Sequence, residues 1–186
     1  MARTQIATNP STIIKVLLVE DSKNDAFIVS SLLDCNPSYT YVIHHVFHQA
    51  QALKSMAIDS YDVCLLDLTL PDAHGFSALI DIQEKSPDMP ILILTGTKDT
   101  ALAKRAVARG AQDYLLKDDL KIESLVRAID YAIQRKQLEA SLFVKANYDT
   151  LTGIANRAMF IDRLKMSLAR AERSEVSIAV LFIDLD

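Results

Sequence analysis

Three apolar runs in this chain end in acid: IIKVLLVED over residues 13–21, VCLLDLTLPD over 63–72 and SIAVLFIDLD over 177–186. The first delivers Glu20 and Asp21, the second Asp67, the third Asp184 and Asp186. Two further runs end in groups of the opposite character, ILIL before Thr95 and Gly96, and YLL before Lys117. Two like charges about 4 Å apart repel by roughly 4 kcal/mol at an effective dielectric of about 20. Glu20, Asp21 and Asp67 held together therefore need a cation, a proton or separation. Oxygen-only donors on an open site suit Mg²⁺, which takes one or two carboxylates and keeps water or phosphate oxygens for the rest. The Thr95 hydroxyl, the Gly96 N–H and the Lys117 ammonium are donors for the oxygens of a phosphoryl group. The chemistry this set can do is phosphoryl transfer to a carboxylate, with Asp67 as nucleophile.

These residues lie far apart in the chain, so a fold must bring them together. Short β-branched runs at 14–19, 40–46, 62–66, 91–94 and 112–116 alternate with helical patterns near 23–34, 48–58, 75–85, 99–109 and 120–146. That alternation predicts right-handed crossovers and a parallel sheet covered on both faces. VLLV, VCLL and ILIL are apolar at successive positions, as strands buried on both faces require. In such a sheet, ligands bind beyond the carboxyl ends of the strands, where all the groups above would sit.

Composition sets the remaining bounds. The chain has 186 residues, half of them hydrophobic and about a quarter charged, with a net charge of -4. That is an ordinary globular composition with too weak an acidic bias to name a partner, and nothing in it supports nucleic-acid binding. No apolar run approaches the ~20 residues of a membrane span. The N-terminus MARTQIATNPS lacks a signal-type apolar core. Cys35 and Cys64 show neither a close pairing nor a zinc spacing, so a reducing, cytoplasmic location is expected. His44, His45 and His48 suggest a metal site at first sight. Neighbours on a strand point to opposite faces, though, so His44 and His45 do not easily share an ion. Exposed positions on an edge strand are the expectation for them.

The helix at 120–147 outruns the sheet. Asp118 or Asp119 is its expected cap, and Ile122, Leu125, Ile129 and Ala132 form its apolar stripe. Leu138 and Leu142 continue that stripe less regularly. The far half either overhangs or pairs with a second copy. Beyond it, Gly153 and Asn156 read as a turn and a helix cap. Ile161, Leu164, Leu168 and Ala171 form a helical stripe, and 176–183 is expected to be a buried strand. These last ~38 residues are too few for a self-sufficient core.

KVLLVEDSKNDA, LLDLTLPDAHGF and ILTGTKDTALAKRAVARGAQDYLLKDD, within residues 13–135, resemble the receiver domain of two-component response regulators. The resemblance implies a five-stranded parallel sheet of flavodoxin-like order 2-1-3-4-5. It implies Asp67 as the phosphoacceptor, served by a histidine kinase or phosphotransfer protein. It further implies Mg²⁺ on Glu20, Asp21, Asp67 and the Thr69 carbonyl, phosphoryl contacts from Thr95 and Lys117, and a switch made by Thr95 and Tyr114. Asp118 stands where many members have proline, often after a cis bond. A cis bond before a non-proline residue costs ~2.5–4 kcal/mol, so the loop after Lys117 is expected to differ.

DTLTGIANR at 149–157 and VLFIDLD at 180–186 resemble the opening of GGDEF domains, the diguanylate cyclases that make cyclic di-GMP from GTP. That implies Asp184 and the Leu185 carbonyl as ligands of a Mg²⁺ that also touches GTP. The GG(D/E)EF hairpin itself is not reached, so this chain by itself is expected to have no cyclase activity. The resulting division is a tail at 1–12, a receiver at 13–135, a helical linker at 136–147 and an incomplete GGDEF segment at 148–186. A homodimer through the 120–147 helix or a receiver face is expected. Two other readings use similar groups. A phosphohydrolase with an aspartate nucleophile would want a second acid two residues after Asp67, where Thr69 stands. A receiver-like module that takes no phosphate would not need the full acid, Thr and Lys set.

Overall fold

The computed structural model describes residues 12–74, 76–96 and 100–183. The chain divides into two compact units, Met1–Gln137 and Leu138–Asp186. In the first, strands β1 (Thr12–Val19), β2 (Tyr39–Val46), β3 (Val63–Asp67), β4 (Ile91–Thr95) and β5 (Asp113–Leu116) alternate with helices. The helices are α1 (Lys23–Asp34), α2 (Gln49–Ser55), α3 (Ser77–Lys85), α4 (Thr100–Ala108) and α5 (Ile122–Asn147). The five strands form one sheet in the order β2-β1-β3-β4-β5, with every neighbouring pair parallel. This is the doubly wound order expected for residues 13–135.

The successive apolar residues serve both faces. Val16, Leu18, Val63, Leu65, Leu92 and Leu94 pack against Ala26, Val29 and Leu33 of α1 and Leu125, Ala128, Ile129 and Ala132 of α5. Their neighbours Leu17, Val19, Cys64, Leu66, Ile91 and Ile93 pack on the other side against Ala52 of α2, Ala78, Leu79 and Ile82 of α3, and Ala106 of α4. Each fully buried leucine among them contributes about 1.5–3 kcal/mol over leaving it in water.

Three expectations change. Asp118 and Asp119 do not cap α5: they lie in a 3-10 turn, Lys117–Asp119, and the helix starts at Ile122. Its entry is held instead by Ser124, whose Oγ accepts the Lys121 N–H at 3.3 Å. α2 stops at Ser55 because the N–H groups of Ala57 and Ile58 turn back to Lys54 and Ser55, and Ile58 is left exposed. The residues at 176–183 form no strand. A strand needs a neighbour to take its N–H and C=O groups, and none lies beside them among the described residues. The peptide bonds among the described residues are all trans, including the one between Lys117 and Asp118. The calls for Asp184 and Leu185, and almost all of the 1–12 tail, lie outside the described residues.

In the second unit the DTLTGIANR stretch is a compact hydrogen-bonded turn. Asp149 Oδ1 accepts the N–H groups of Leu151 and Thr152 and the Thr152 hydroxyl at 2.9–3.1 Å. These bonds hold the Asp149 carboxyl below its ordinary range, the Thr152 N–H first among them. Gly153 sits at φ +70°, where a side chain would be strained. Asn156 then caps α6 (Arg157–Ser174), its Oδ1 accepting the Met159 N–H at 3.0 Å. This is the expected turn and cap. Along the α6 stripe Ala171 is buried, whereas Ile161 and Leu168 are exposed.

Candidate functional site

β1, β3, β4 and β5 deliver Glu20, Asp67, Thr95 and Lys117 to one end of the sheet. Glu20 is fully buried, Asp67 is 2 % exposed and Thr95 is 5 % exposed. Asp21, one residue on from Glu20, is exposed. Carboxylate oxygens of Glu20, Asp21 and Asp67 lie within 4.8 Å of one another. Gly96 follows Thr95 at the surface, with nothing within 4 Å of where a Cβ would be. Residues as far apart in sequence as Glu20 and Lys117 thus meet at one edge of the sheet.

Lys117 holds this acid group together. Its Nζ lies 2.6 Å from Glu20 Oε2, 2.7 Å from Asp67 Oδ2 and 3.1 Å from Asp25 Oδ2. Burial pushes the Lys117 ammonium down, but hydrogen bonds and charge from Asp67 and Glu20 outweigh it and hold the group above its ordinary value. Burial also dominates at Glu20 and raises its carboxyl above the usual range, against the pull of Lys117. The Ser22 N–H reaches Glu20 Oε1 at 3.1 Å. The buried Glu20 Oε2 atom is partnered by the Lys117 ammonium at 2.6 Å.

The other Asp67 oxygen is fixed locally. Oδ1 accepts the Thr69 N–H at 2.9 Å and the Thr69 hydroxyl at 2.8 Å. A turn two residues long therefore orients the carboxylate and leaves Oδ2 to Lys117. Tyr114 is half-buried on β5, packed against the core on the α3 and α4 side.

Four contributors escaped the sequence reading. Asp25 lies one helical turn after Asp21, and the N-cap Ser22 between them was the available signal. The Thr69 side chain follows from its i+2 position to Asp67. His45, on the edge strand, is half-buried, and its Nε2 donates to the Glu20 carbonyl at 2.7 Å, while His44 meets Tyr61 on the opposite face. Such tertiary contacts leave no local pattern. Asp72 is the fourth: its carboxylate accepts the N–H groups of Gln49 and Ala50 at 2.9 and 3.0 Å, capping α2 from the β3–α3 loop.

Slight burial pushes the Asp72 carboxyl up, but those two N–H groups outweigh it, so the group stays below its ordinary range. A depressed carboxyl contributes stability above the unfolded value, which is lost as pH falls through the folded one. Asp72→Ala is expected to cost about 0.5–2 kcal/mol, the usual range for a lost cap. Thermal melting at neutral and acid pH checks this, and the deficit should shrink in acid.

The donor set fits Mg²⁺. All its side-chain donors are carboxylate oxygens, clustered within 4.8 Å of one another, and Asp21 faces solvent where waters would complete the shell.

A fully parallel sheet in this order, with an acid group and a lysine at its carboxyl edge, defines a receiver-like signalling fold. Residues 16–130 match the response regulator receiver domain and residues 146–186 match the GGDEF domain of diguanylate cyclases. The transcriptional regulatory protein CiaR of Streptococcus pneumoniae is 33% identical over 139 residues, covering 75% of this chain and 57% of CiaR. CitT of Halalkalibacterium halodurans is 32% identical over 126 residues, covering 67% of this chain and 54% of CitT. The chain likewise spans 28% of the NtrC regulator of Proteus hauseri. A crystal structure of a response regulator receiver domain protein from Clostridium thermocellum superposes with a TM-score of 0.60 at 28% identity, covering 68% of this chain and 98% of that one. The chain belongs to the response regulator receiver family, and its GGDEF match begins at residue 146, after the receiver match ends at residue 130. Among the described residues, no helix is long and apolar enough to cross a membrane.

Proposed function

We propose that the receiver carries a phosphoryl group on Asp67, taken in a Mg²⁺-dependent step from a histidine kinase or phosphotransfer protein. The observation that carries this reading is the Asp67 carboxylate itself: buried, oriented by Thr69 and held 2.7 Å from Lys117. Glu20, Asp21, Asp67 and the Thr69 carbonyl would hold Mg²⁺, which when bound supplies positive charge against the phosphoryl oxygens. Lys117, Thr95 and the Gly96 N–H bind and orient those oxygens. The bound phosphoryl group adds nearly two negative charges at a site already rich in acid. Thr95 turns toward that charge, and Tyr114 follows into the space it leaves.

The output is a GGDEF cyclase whose opening segment is residues 148–186, with Asp184 and the Leu185 carbonyl toward its own Mg²⁺ and GTP. The linker at 136–147 lies in the far half of α5, where Leu138 and Leu142 are 60% and 57% exposed at a spacing that places them on one face. That apolar face suits a second copy of the chain, and a homodimer through it would couple receiver state to cyclase pairing. Location in the cytoplasm fits a kinase partner and the free thiols of Cys35 and Cys64.

Acetyl phosphate tests the reading without a kinase. Intact-mass measurement should show one phosphoryl group per chain with Mg²⁺ present and none with a chelator. Uptake that ignores the chelator would overturn the metal-dependent mechanism.

A further inference from the structure

Lys117 has more anionic partners than the proposed chemistry needs. An ammonium has three N–H donors. Here three carboxylates surround it, at 2.6 Å for Glu20, 2.7 Å for Asp67 and 3.1 Å for Asp25. A phosphoryl oxygen reaches Lys117 only when one of these contacts is given up.

The three are not equally easy to release. Glu20 is fully buried, its N–H bonded to the Val46 carbonyl and its own carbonyl held by His45. Moving it would unseat the end of β1. Asp67 is the acceptor itself and must stay close to Lys117. Asp25 makes the longest contact, and its side chain is 36% exposed, so water can take over its hydrogen bonds. Its backbone is nevertheless fixed. The Asp25 N–H donates to the N-cap Ser22 Oγ at 3.3 Å, and the residue sits in the first turn of α1, where the helix dipole favours a negative charge. Asp25 is thus a charge anchored within reach of Lys117 yet releasable into solvent.

We propose that Asp25 is a positioning residue that competes with the phosphoryl group for Lys117 and so shortens the life of the phosphorylated state. The proposal rests on the reading of Asp67 as the acceptor. In uptake, an Asp67 carboxylate oxygen forms a bond to phosphorus while the acyl O–P bond of acetyl phosphate breaks, its electron pair leaving on acetate. In loss, water oxygen attacks phosphorus, the Asp67 O–P bond breaks with its pair returning to the carboxylate, and the water proton goes to phosphate and solvent. Once the phosphoryl group is on Asp67, Lys117 pairs with its oxygens in the ground state and holds them away from solvent. While Lys117 leans toward Asp25, the bound phosphoryl group lacks that pairing, and its shielding from water is incomplete. Without the competing charge, Glu20 and Asp67 keep their contacts and the Lys117 donor that faced Asp25 passes to the phosphoryl group.

The test follows intact mass over time in wild type, Asp25→Asn and Asp25→Ala, loaded with acetyl phosphate and Mg²⁺ and then freed of donor. The phosphorylated state is expected to persist about three- to fivefold longer in both variants, the scale of a half-exposed ion pair. Thermal melting is read in parallel, because a merely structural role for Asp25 would move melting and leave the lifetime alone. An unchanged or shortened lifetime in a folded variant overturns the proposal while leaving Asp67 as the acceptor. A wild type that takes no label overturns the acceptor reading and this proposal with it.

Discussion

Asp67→Asn is expected to take up no phosphoryl group from acetyl phosphate under conditions where wild type takes one. The substitution keeps the shape of the side chain. Its amide oxygen can still accept the Thr69 N–H and hydroxyl, which now hold Oδ1 at 2.9 and 2.8 Å. The amide nitrogen, however, would face Lys117 Nζ across a contact that is 2.7 Å in wild type, donor against donor. A carboxamide also lacks the charge that makes the carboxylate a nucleophile. Lys117 keeps Glu20 and Asp25, so the site does not fall apart. Losing one hydrogen bond to a charged group costs about 1.5–3 kcal/mol, which a stable domain survives. Melting with a single lower transition, together with no label, is the expected pair of results. A folded Asp67→Asn chain that still gains one phosphoryl group would put the acceptor elsewhere, Asp21 being the exposed carboxylate of the same group.

The legible part of this protein is the part written in periodicity. VLLV, VCLL and ILIL announced strands buried on both faces, and the two cores divide their residues alternately as that pattern demands. Once those strands are parallel, the carboxyl-edge rule places Glu20, Asp67, Thr95 and Lys117 together without further information. Strand order came from family resemblance, because hydrophobic pattern does not distinguish which strand neighbours which. The misses are contacts of two kinds. Asp25, His45 and Asp72 act on groups in other elements, and no local spacing encodes such a meeting. Asp118 and Asp119 had the composition of a cap, but the chain needs a turn after Lys117 to bring the next helix back over the sheet, so the cap position moved to Lys121. The run at 176–183 has the composition of a strand and lacks a neighbour among the described residues. Strand character is a property of a pair, whereas the turn at 149–156 is satisfied by its own side chains and forms as read.

Lys117→Ala should have the other large effect, because it leaves Glu20, Asp67 and Asp25 without the ammonium they share. Removing one partner from a buried ion pair typically costs about 3–5 kcal/mol, since the remaining charge stays desolvated. Asp25 can turn to solvent and escape much of that cost. Glu20, fully buried, cannot. Burial already raises the Glu20 carboxyl while Lys117 pulls it down, so removing Lys117 should raise it further. A carboxyl raised in the folded state contributes stability below its unfolded value, near 4.3, and loses that contribution as pH rises through the folded value. The variant should therefore suffer most at neutral pH, and its melting deficit against wild type should narrow as pH is lowered toward the ordinary glutamate range. Mg²⁺ offers a second form of relief. With no ammonium competing for the same oxygens, the variant should gain more from the metal than wild type does. A site filled at a hundred times its dissociation constant gains about 2.7 kcal/mol. Phosphoryl uptake should nonetheless fall by tenfold or more, the scale of one lost electrostatic contact to the reacting group. Metal that restores melting but leaves uptake low would separate the two tasks of Lys117, neutralising the resting acids and holding the phosphoryl oxygens. Uptake restored along with melting would mean that the lysine acts on stability alone.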